Sequence, residues 1–506
     1  MEPPLSPVLV FGFDAGDPDL LLNWALDGTL PTLASILKRG GHARFAGPEM
    51  ASEHGMWVGL TSGVSRARHG YYYHRQIVPG TYDLLPARGR SFPVRPFWSH
   101  LQDTRIAIID VPDIAAPEPL PGVQIADWAI HFPYFPAATY PPELLAEITA
   151  EFGPRSYIAE KPGADEATDR RIFASLMDRI EAKKKLCLRY LSQGHFDLAV
   201  VVFGECHTGA HQFWKYHAEQ TGPLAHAVRE IYRAIDAALG AILDVWPKDG
   251  PVFVVSSVGI KEQWPAAGLN EAFCRRLGYQ AAPAPQETGR PRPIDLLRSL
   301  LPQAVRNQLS RLVPAEKRAL LLADKFRMAT DWSRTTLFCI PSYYTGQFRV
   351  NLRGREPMGI VEPGKDYAEL LTRVEEDLLA LVDPVTGRPA IKAVWKSVDM
   401  FDGEPPESLP DILAEWTEAS HFMEQVRHPK VTLHQSPCEF HRSTDHSHFG
   451  FFAAAGPGIS ARGKLPDVSP LDLAPTLVSH LTAAKGFQFD GKLIPGVAAF
   501  TNQGPD

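Results

Sequence analysis

Four stretches of the chain are apolar almost without interruption: VLVFGF at 8–13, RIAIIDVP at 105–112, FDLAVVVFG at 196–204 and GPVFVVSSVG at 250–259. Runs this short and this uniformly apolar predict strands covered on both faces. Between them the period lengthens to that of a helix. Leu20, Leu21, Trp24 and Ala25 form one apolar stripe, and Leu30, Leu33, Ile36 and Leu37 form the next. Longer helical patterns run over 166–194 and 222–246. Strand and helix patterns that alternate in this way predict an α/β fold, a largely parallel central sheet flanked by helices. The pattern breaks near residue 262. YQAAPAPQETGRPRP is Pro-rich, and the amphipathic IDLLRSLLPQAVRNQLSRLV follows it. Residues 262–330 are therefore expected to form an inserted cap that sets substrate choice, between core segments 1–261 and 331–506. Strand patterns return in TLFCIPSYYTGQFRVNL, AIKAVWKSVDMF, DILAEW and FGFFAAAGPGI. AELLTRVEEDLLALV and SPLDLAPTLVSHL are helical.

Composition narrows the picture without changing it. The chain has 506 residues, 44% of them apolar and 22% charged, and a formal net charge of −7. That balance argues against nucleic acid as a partner. The run Lys183-Lys184-Lys185 reads as a solvated helix face. Five scattered cysteines without a CxxC pair argue against a disulfide framework. No stretch approaches the ~20 apolar residues of a membrane helix, and MEPPLSPVLVFGFD lacks the basic start of a signal peptide. The expectation is a cytoplasmic protein that acts on a small molecule and has no membrane partner.

Ligands of open α/β sheets bind at the carboxyl ends of the strands, so polar residues there are the candidates for chemistry. Asp14 closes the first predicted strand. Glu205, Cys206 and His207 follow the third, and Asp445, His446 and His448 precede a late one. In FGECHTGAHQFW, residues 203–214, His207 and His211 stand four apart, so on a helix both imidazoles share a face and can hold one metal ion. A third histidine from elsewhere would complete a site with an open position. Cys206 reads as a buried core thiol.

An ordered series of segments then identifies a resemblance. The opening VLVFGFDAGDPDLLLNWALDGTLPTLASILKRGG, MWVGLTSGVSRARHG, HQFWKYH, NLRGREPMGIVEPG, LPDILAEW, GFFAAAGPGI and DLAPTLVSHL together resemble the type I phosphodiesterase/nucleotide pyrophosphatase branch of the alkaline phosphatase superfamily, over roughly residues 7–497. The resemblance implies an alkaline-phosphatase-like fold, a pair of metal ions and a Thr or Ser nucleophile at a helix N-terminus.

This chain departs from that pattern at most of the site. Asp14 matches a ligand of the second metal. The nucleophile register falls on Glu53, with Ser52 and His54 beside it. The family's D-x-x-x-H is His207-Thr208-Gly209-Ala210-His211 here, and its S-D-H-G strand end is Ser256-Ser257-Val258-Gly259. The late histidine is kept as His446. Valine cannot bind a metal and a serine hydroxyl is a poor exchange for a carboxylate. The second site, of which Asp14 and Ser257 are vestiges, is therefore expected to be empty. The first is expected to hold one divalent transition metal (zinc, iron or copper) on His207, His211 and His446, with Glu53 as a further ligand or general base. Three readings stay open: a single-metal enzyme using metal-activated water or dioxygen on a small organic substrate, a conventional metal-dependent phosphodiesterase using Ser52, and an inactive binding protein of the same fold.

Overall fold

The computed structural model describes residues 6–499, apart from 53, 88–93, 115, 132–134, 156, 284–325, 402, 405, 438–441 and 482–485. Most of the expected cap at 262–330, including its amphipathic stretch, lies outside the described residues. The chain gathers into two compact units, one of residues 1–69, 88–263 and 442–506, the other of residues 70–87 and 264–441.

The first unit is built on a nine-stranded sheet in the order Gly463–Lys464, Gly41–Phe45, Gly450–Ala455, Val252–Ser256, Val8–Phe13, Leu198–Phe203, Ile106–Ile109, Gly122–Ala126, Ala138–Tyr140. The four strands expected from uniformly apolar runs lie side by side at its centre, all parallel. Antiparallel pairing enters through Gly450–Ala455 and Ala138–Tyr140. The reason for the uniform hydrophobicity is now visible. Leu9, Phe11 and Phe13, with Ala199, Val201 and Phe203, face one core; Val8 and Val10, with Leu198, Val200 and Val202, face the other. Alternate side chains of a strand point to opposite faces, and both faces are covered. On the first face lie helices Pro18–Leu26, Pro31–Arg39, Glu166–Gln193 and Ala227–Val245; on the second lie Met56–Ser62 and Leu473–Leu481. Each fully buried Leu, Ile, Val or Phe contributes about 1.5–3 kcal/mol.

The expected reading of Lys183 fails. It is fully buried within the long helix Glu166–Gln193, while Lys184 and Lys185 do reach solvent. Its ammonium lies 3.1 Å from Asp110 Oδ2 and 3.7 Å from Glu205 Oε1, beneath the strand ends. A helix of 28 residues presents every face somewhere along its length, so one lysine of a run can turn inward while its neighbours do not.

The second unit carries a four-stranded antiparallel sheet, Leu337–Cys339, Gly346–Val350, Ile412–Trp416 and Ile391–Lys396. Helices Ala267–Arg276 and Lys365–Leu379 contribute Leu269, Phe273, Leu370 and Val374 to its core. The segment NLRGREPMG is architectural here. Arg355 Nη2 pairs with buried Asp411 at 2.6 Å, Arg349 Nε with Glu356 at 2.7 Å, and Asp411 also accepts from the Val350 amide and the Tyr367 hydroxyl. Buried charges stay ionised when each has a hydrogen-bonded partner of opposite sign.

Candidate functional site

The strand Leu198–Phe203 ends at Phe203, and the helix Glu205–Glu219 begins two residues later. This abrupt junction places His207 and His211 on successive turns at the carboxyl edge of the sheet. Gly209 stands between them because a Cβ there would meet Ile231 Cδ1 at 2.4 Å; its absence lets this helix close on Ala227–Val245. His446 arrives on a short strand, Thr444–Ser447, paired antiparallel with Gly259–Glu262 so that it lies opposite Ile260. The three rings form a near-equilateral cluster, with centroids 5.0 Å apart for His207–His211, 4.7 Å for His207–His446 and 4.9 Å for His211–His446. One nitrogen from each lies within 4.8 Å of the others, a group that could hold a metal ion.

The outer edges of these rings are engaged. His207 Nδ1 lies 2.9 Å from Asp14 Oδ2, His211 Nδ1 lies 2.9 Å from Thr444 Oγ1, and His446 Nδ1 lies 3.4 Å from the Gly259 carbonyl. Nδ1 engaged on protein leaves Nε2 as the nitrogen available for a metal. His211 Nε2 is buried with no hydrogen-bond partner. A cation held among the three imidazoles would satisfy this nitrogen. Burial, reinforced by the positive charge of Arg442, holds His207 and His211 well below the usual histidine value. Both are therefore neutral at pH 7, the form that ligates metals.

A fourth histidine escaped the sequence reading. His131 stacks on His207 with ring centroids 3.5 Å apart and planes within 15°. Its Nδ1 lies 2.9 Å from Thr208 Oγ1, and its Nε2 lies 3.3 Å from Glu160 Oε1. Glu160 in turn accepts a 2.5 Å bond from Arg442 Nη1. With both nitrogens facing protein groups, His131 buttresses His207 rather than joining the cluster. Nothing in its surroundings, DWAIHF, carries a ligand spacing that would have marked it.

Asp14 and Ser257, the residues expected as vestiges of a second metal site, are joined to one another. Ser257 Oγ donates to Asp14 Oδ1 at 3.2 Å, and Trp57 Nε1 donates to the same oxygen at 2.8 Å. The approach of Trp57 depends on Gly12, where a Cβ would lie 2.6 Å from the indole. Ala15 follows at φ 50° in the left-handed region, its amide donating to Ser257 Oγ at 3.2 Å. Non-glycine residues rarely hold this conformation, and where they do it clusters at functional sites. Cys206 is fully buried with Sγ 3.1 Å from the Asp14 carbonyl, and burial raises its thiol well above the usual range. This is the inert core thiol expected. His448, two beyond His446, lies off the cluster, its Nδ1 donating to the Met50 carbonyl at 2.7 Å.

Ser52 is fully buried after the short 3₁₀ turn Pro48–Ala51, and His54 is near enough to His207 to oppose its protonation. Glu53 lies outside the described residues. Arg66 fixes this segment, donating to the carbonyls of Glu49 (2.8 Å), Ser52 (2.9 Å) and His54 (2.6 Å). Burial first, and Arg66 second, pull the neighbouring His69 from 6.5 down to about 3. The unfolded chain therefore takes this proton before the folded one does. Stability from His69 is fully present above pH 6.5 and is lost as pH falls toward 3, by about 1.4 kcal/mol per pH unit. Urea titrations of metal-free protein between pH 7 and pH 5 are expected to show a steeper loss for wild type than for His69→Gln; equal slopes would refute the assignment.

Residues 8–275 match the family described as type I phosphodiesterase/nucleotide pyrophosphatase. No curated protein sequence matches the chain. Among solved structures, phosphonoacetate hydrolase from Sinorhizobium meliloti 1021, in complex with phosphonoformate, is 13% identical with a TM-score of 0.50, covering 95% of this chain and 96% of its own. Human ectonucleotide pyrophosphatase/phosphodiesterase 5 is 12% identical with a TM-score of 0.45, covering 97% and 96%. The murine protein is 12% identical with a TM-score of 0.43, covering 94% and 95%.

Proposed function

This chain belongs to the type I phosphodiesterase/nucleotide pyrophosphatase family of the alkaline phosphatase superfamily and has its fold, and we propose that within it the protein is a single-metal hydrolase of a small organic substrate. The observation that carries this reading is the cluster of His207, His211 and His446 with His211 Nε2 buried and unpartnered. Three neutral imidazoles with an open position are the ligand set of catalytic zinc. His207, His211 and His446 would hold a divalent ion, which would bring Lewis-acid and water-activating chemistry to the site. The chain's own part is to hold that set: Thr444 orients His211, His131 stacks against His207, and Arg442 with Glu160 closes the side next to His131.

A two-metal phosphoryl transfer needs carboxylates at the second position. Here the strand end offers Ser256-Ser257-Val258, and Ser257 hydrogen-bonds Asp14. The phosphonoacetate hydrolase binds a small phosphorus-containing compound; a substrate of that size suits this reading, with one ion doing the activating. Purified protein is expected to carry one equivalent of a transition metal and to turn over bis-p-nitrophenyl phosphate poorly with Zn, Mn or Mg. Two equivalents, with robust turnover abolished by Ser52→Ala, would replace this reading by the conventional phosphodiesterase, and no metal at all would leave a binding protein. Iron or copper with substrate-dependent oxygen uptake would move the chemistry from hydrolysis to oxidation, since imidazole sets suit those metals also.

A further inference from the structure

Asp14 is the residue whose setting the function above does not use. It stands 6% exposed at the end of the central strand, and both its carboxylate oxygens are engaged. Oδ1 accepts from Trp57 Nε1 at 2.8 Å and from Ser257 Oγ at 3.2 Å, while Oδ2 faces His207 Nδ1 at 2.9 Å. The backbone on either side is fixed as well: the Asp14 amide donates to the Phe203 carbonyl at 2.9 Å and the Asp14 carbonyl receives Cys206 Sγ at 3.1 Å. The carboxylate is locked to the strand-to-helix junction that delivers His207.

We infer that Asp14 is a positioning residue, a carboxylate that holds His207 in the Nδ1–H tautomer and directs its Nε2 lone pair into the three-histidine cluster. The inference rests on the single-metal reading, and it gives the remnant of the second site a task in the first. An ionised carboxylate is only an acceptor. Facing Nδ1, it requires the proton there, and the other nitrogen is left as the ligand. Carboxylate–imidazole–metal chains of this form fix ring orientation and raise ligand basicity. Trp57 and Ser257 make the choice of oxygen unambiguous. Two donors converge on Oδ1, so Oδ2 alone turns toward the ring.

The same asymmetry supplies the test. In Asp14→Asn the amide oxygen takes the position facing Trp57 and Ser257, and the NH₂ faces His207. That group donates, so Nδ1 must become the acceptor and the ring proton moves to Nε2. The variant is isosteric, so it separates tautomer control from packing. Two readouts are needed. ¹⁵N-detected imidazole spectra of the metal-free proteins report the tautomer without any metal: His207 is expected as Nδ1–H in wild type and Nε2–H in the variant. Competition with a chromophoric chelator for Zn²⁺ or Co²⁺ reports affinity, with an expected fall of about 10–100-fold and a change in the visible Co²⁺ spectrum. Trp57→Phe removes one donor and keeps the carboxylate, so its loss should be smaller than that of Asp14→Asn. An Asn variant with unchanged tautomer and wild-type affinity overturns the role of Asp14 while leaving the single-metal function intact. Wild type that binds neither ion overturns that function instead, and the metal-free spectra still judge whether Asp14 sets the tautomer.

Discussion

Replacing His446 by alanine is expected to lower metal affinity by about 10²-fold while leaving the metal-free fold intact. Structural zinc in a four-ligand site is held by about 10–16 kcal/mol, about 3 kcal/mol for each ligand, which is about 10²-fold in a dissociation constant. His446 is the sharpest ligand to remove because it tests convergence across the chain. It sits on the strand Thr444–Ser447, far in sequence from the helix Glu205–Glu219, and its ring centroid is 4.7 Å from that of His207. His448→Ala is the matched control: two residues on, its imidazole serves the Met50 carbonyl. That variant should bind metal within a few-fold of wild type. A combined His211→Ala and His446→Ala variant keeps one of the three imidazoles and should bind no stoichiometric metal at all. Metal titrations followed by competition would check each value. Equal losses for His446→Ala and His448→Ala would mean that affinity follows local stability rather than ligation.

Much of this arrangement could be read from the sequence, for reasons that particular residues make clear. The central strands announced themselves because they are buried on both faces, so neither face needed polar residues to interrupt the run. The outer strands did not. Gly41–Phe45 alternates buried and half-buried side chains, Gly122–Ala126 opens on two half-buried residues, and Ala138–Tyr140 has only three residues. Nothing local separates such segments from loops. His207 and His211 were visible because a helix turns a four-residue spacing into a shared face. His446 needed the resemblance to place it, since no spacing links it to the helix. Their supporting atoms were beyond reach of either argument. Thr444, Trp57 and His131 come from a strand, a helix and a loop, and each reaches the site through a single side chain. Asp14 shows a different limit. Its identity and its place at a strand end were legible, yet only geometry shows that its carboxylate meets an imidazole.

The second large effect is expected beneath the three-histidine cluster, in Lys183→Met. Lys183 Nζ donates to the carbonyls of Ala129 (2.9 Å) and Val202 (3.1 Å) and lies between Asp110 and Glu205, all without exposure to solvent. Asp110 accepts the Trp128 and Ala129 amides at 2.9 Å each, and Glu205 accepts Arg179 Nε at 2.8 Å. Two cations thus balance two carboxylates. Methionine fills the space but leaves an excess buried negative charge and two carbonyls short of a donor. Removing one partner from such a set costs about 3–5 kcal/mol, a large share of a typical domain's stability. The damage should also reach the site, because Glu205 opens the helix that carries His207 and His211, and Ala129 stands two residues before His131. Adding Glu205→Gln restores charge balance, with Arg179 facing a neutral acceptor and Asp110 as the remaining anion, so the double variant should recover part of the loss in urea midpoint. Recovery identifies the uncompensated charge as the cause. If the double variant is instead less stable than Lys183→Met by the full effect of Glu205→Gln alone, the two residues act independently and the carbonyl bonds to Ala129 and Val202 account for the lysine.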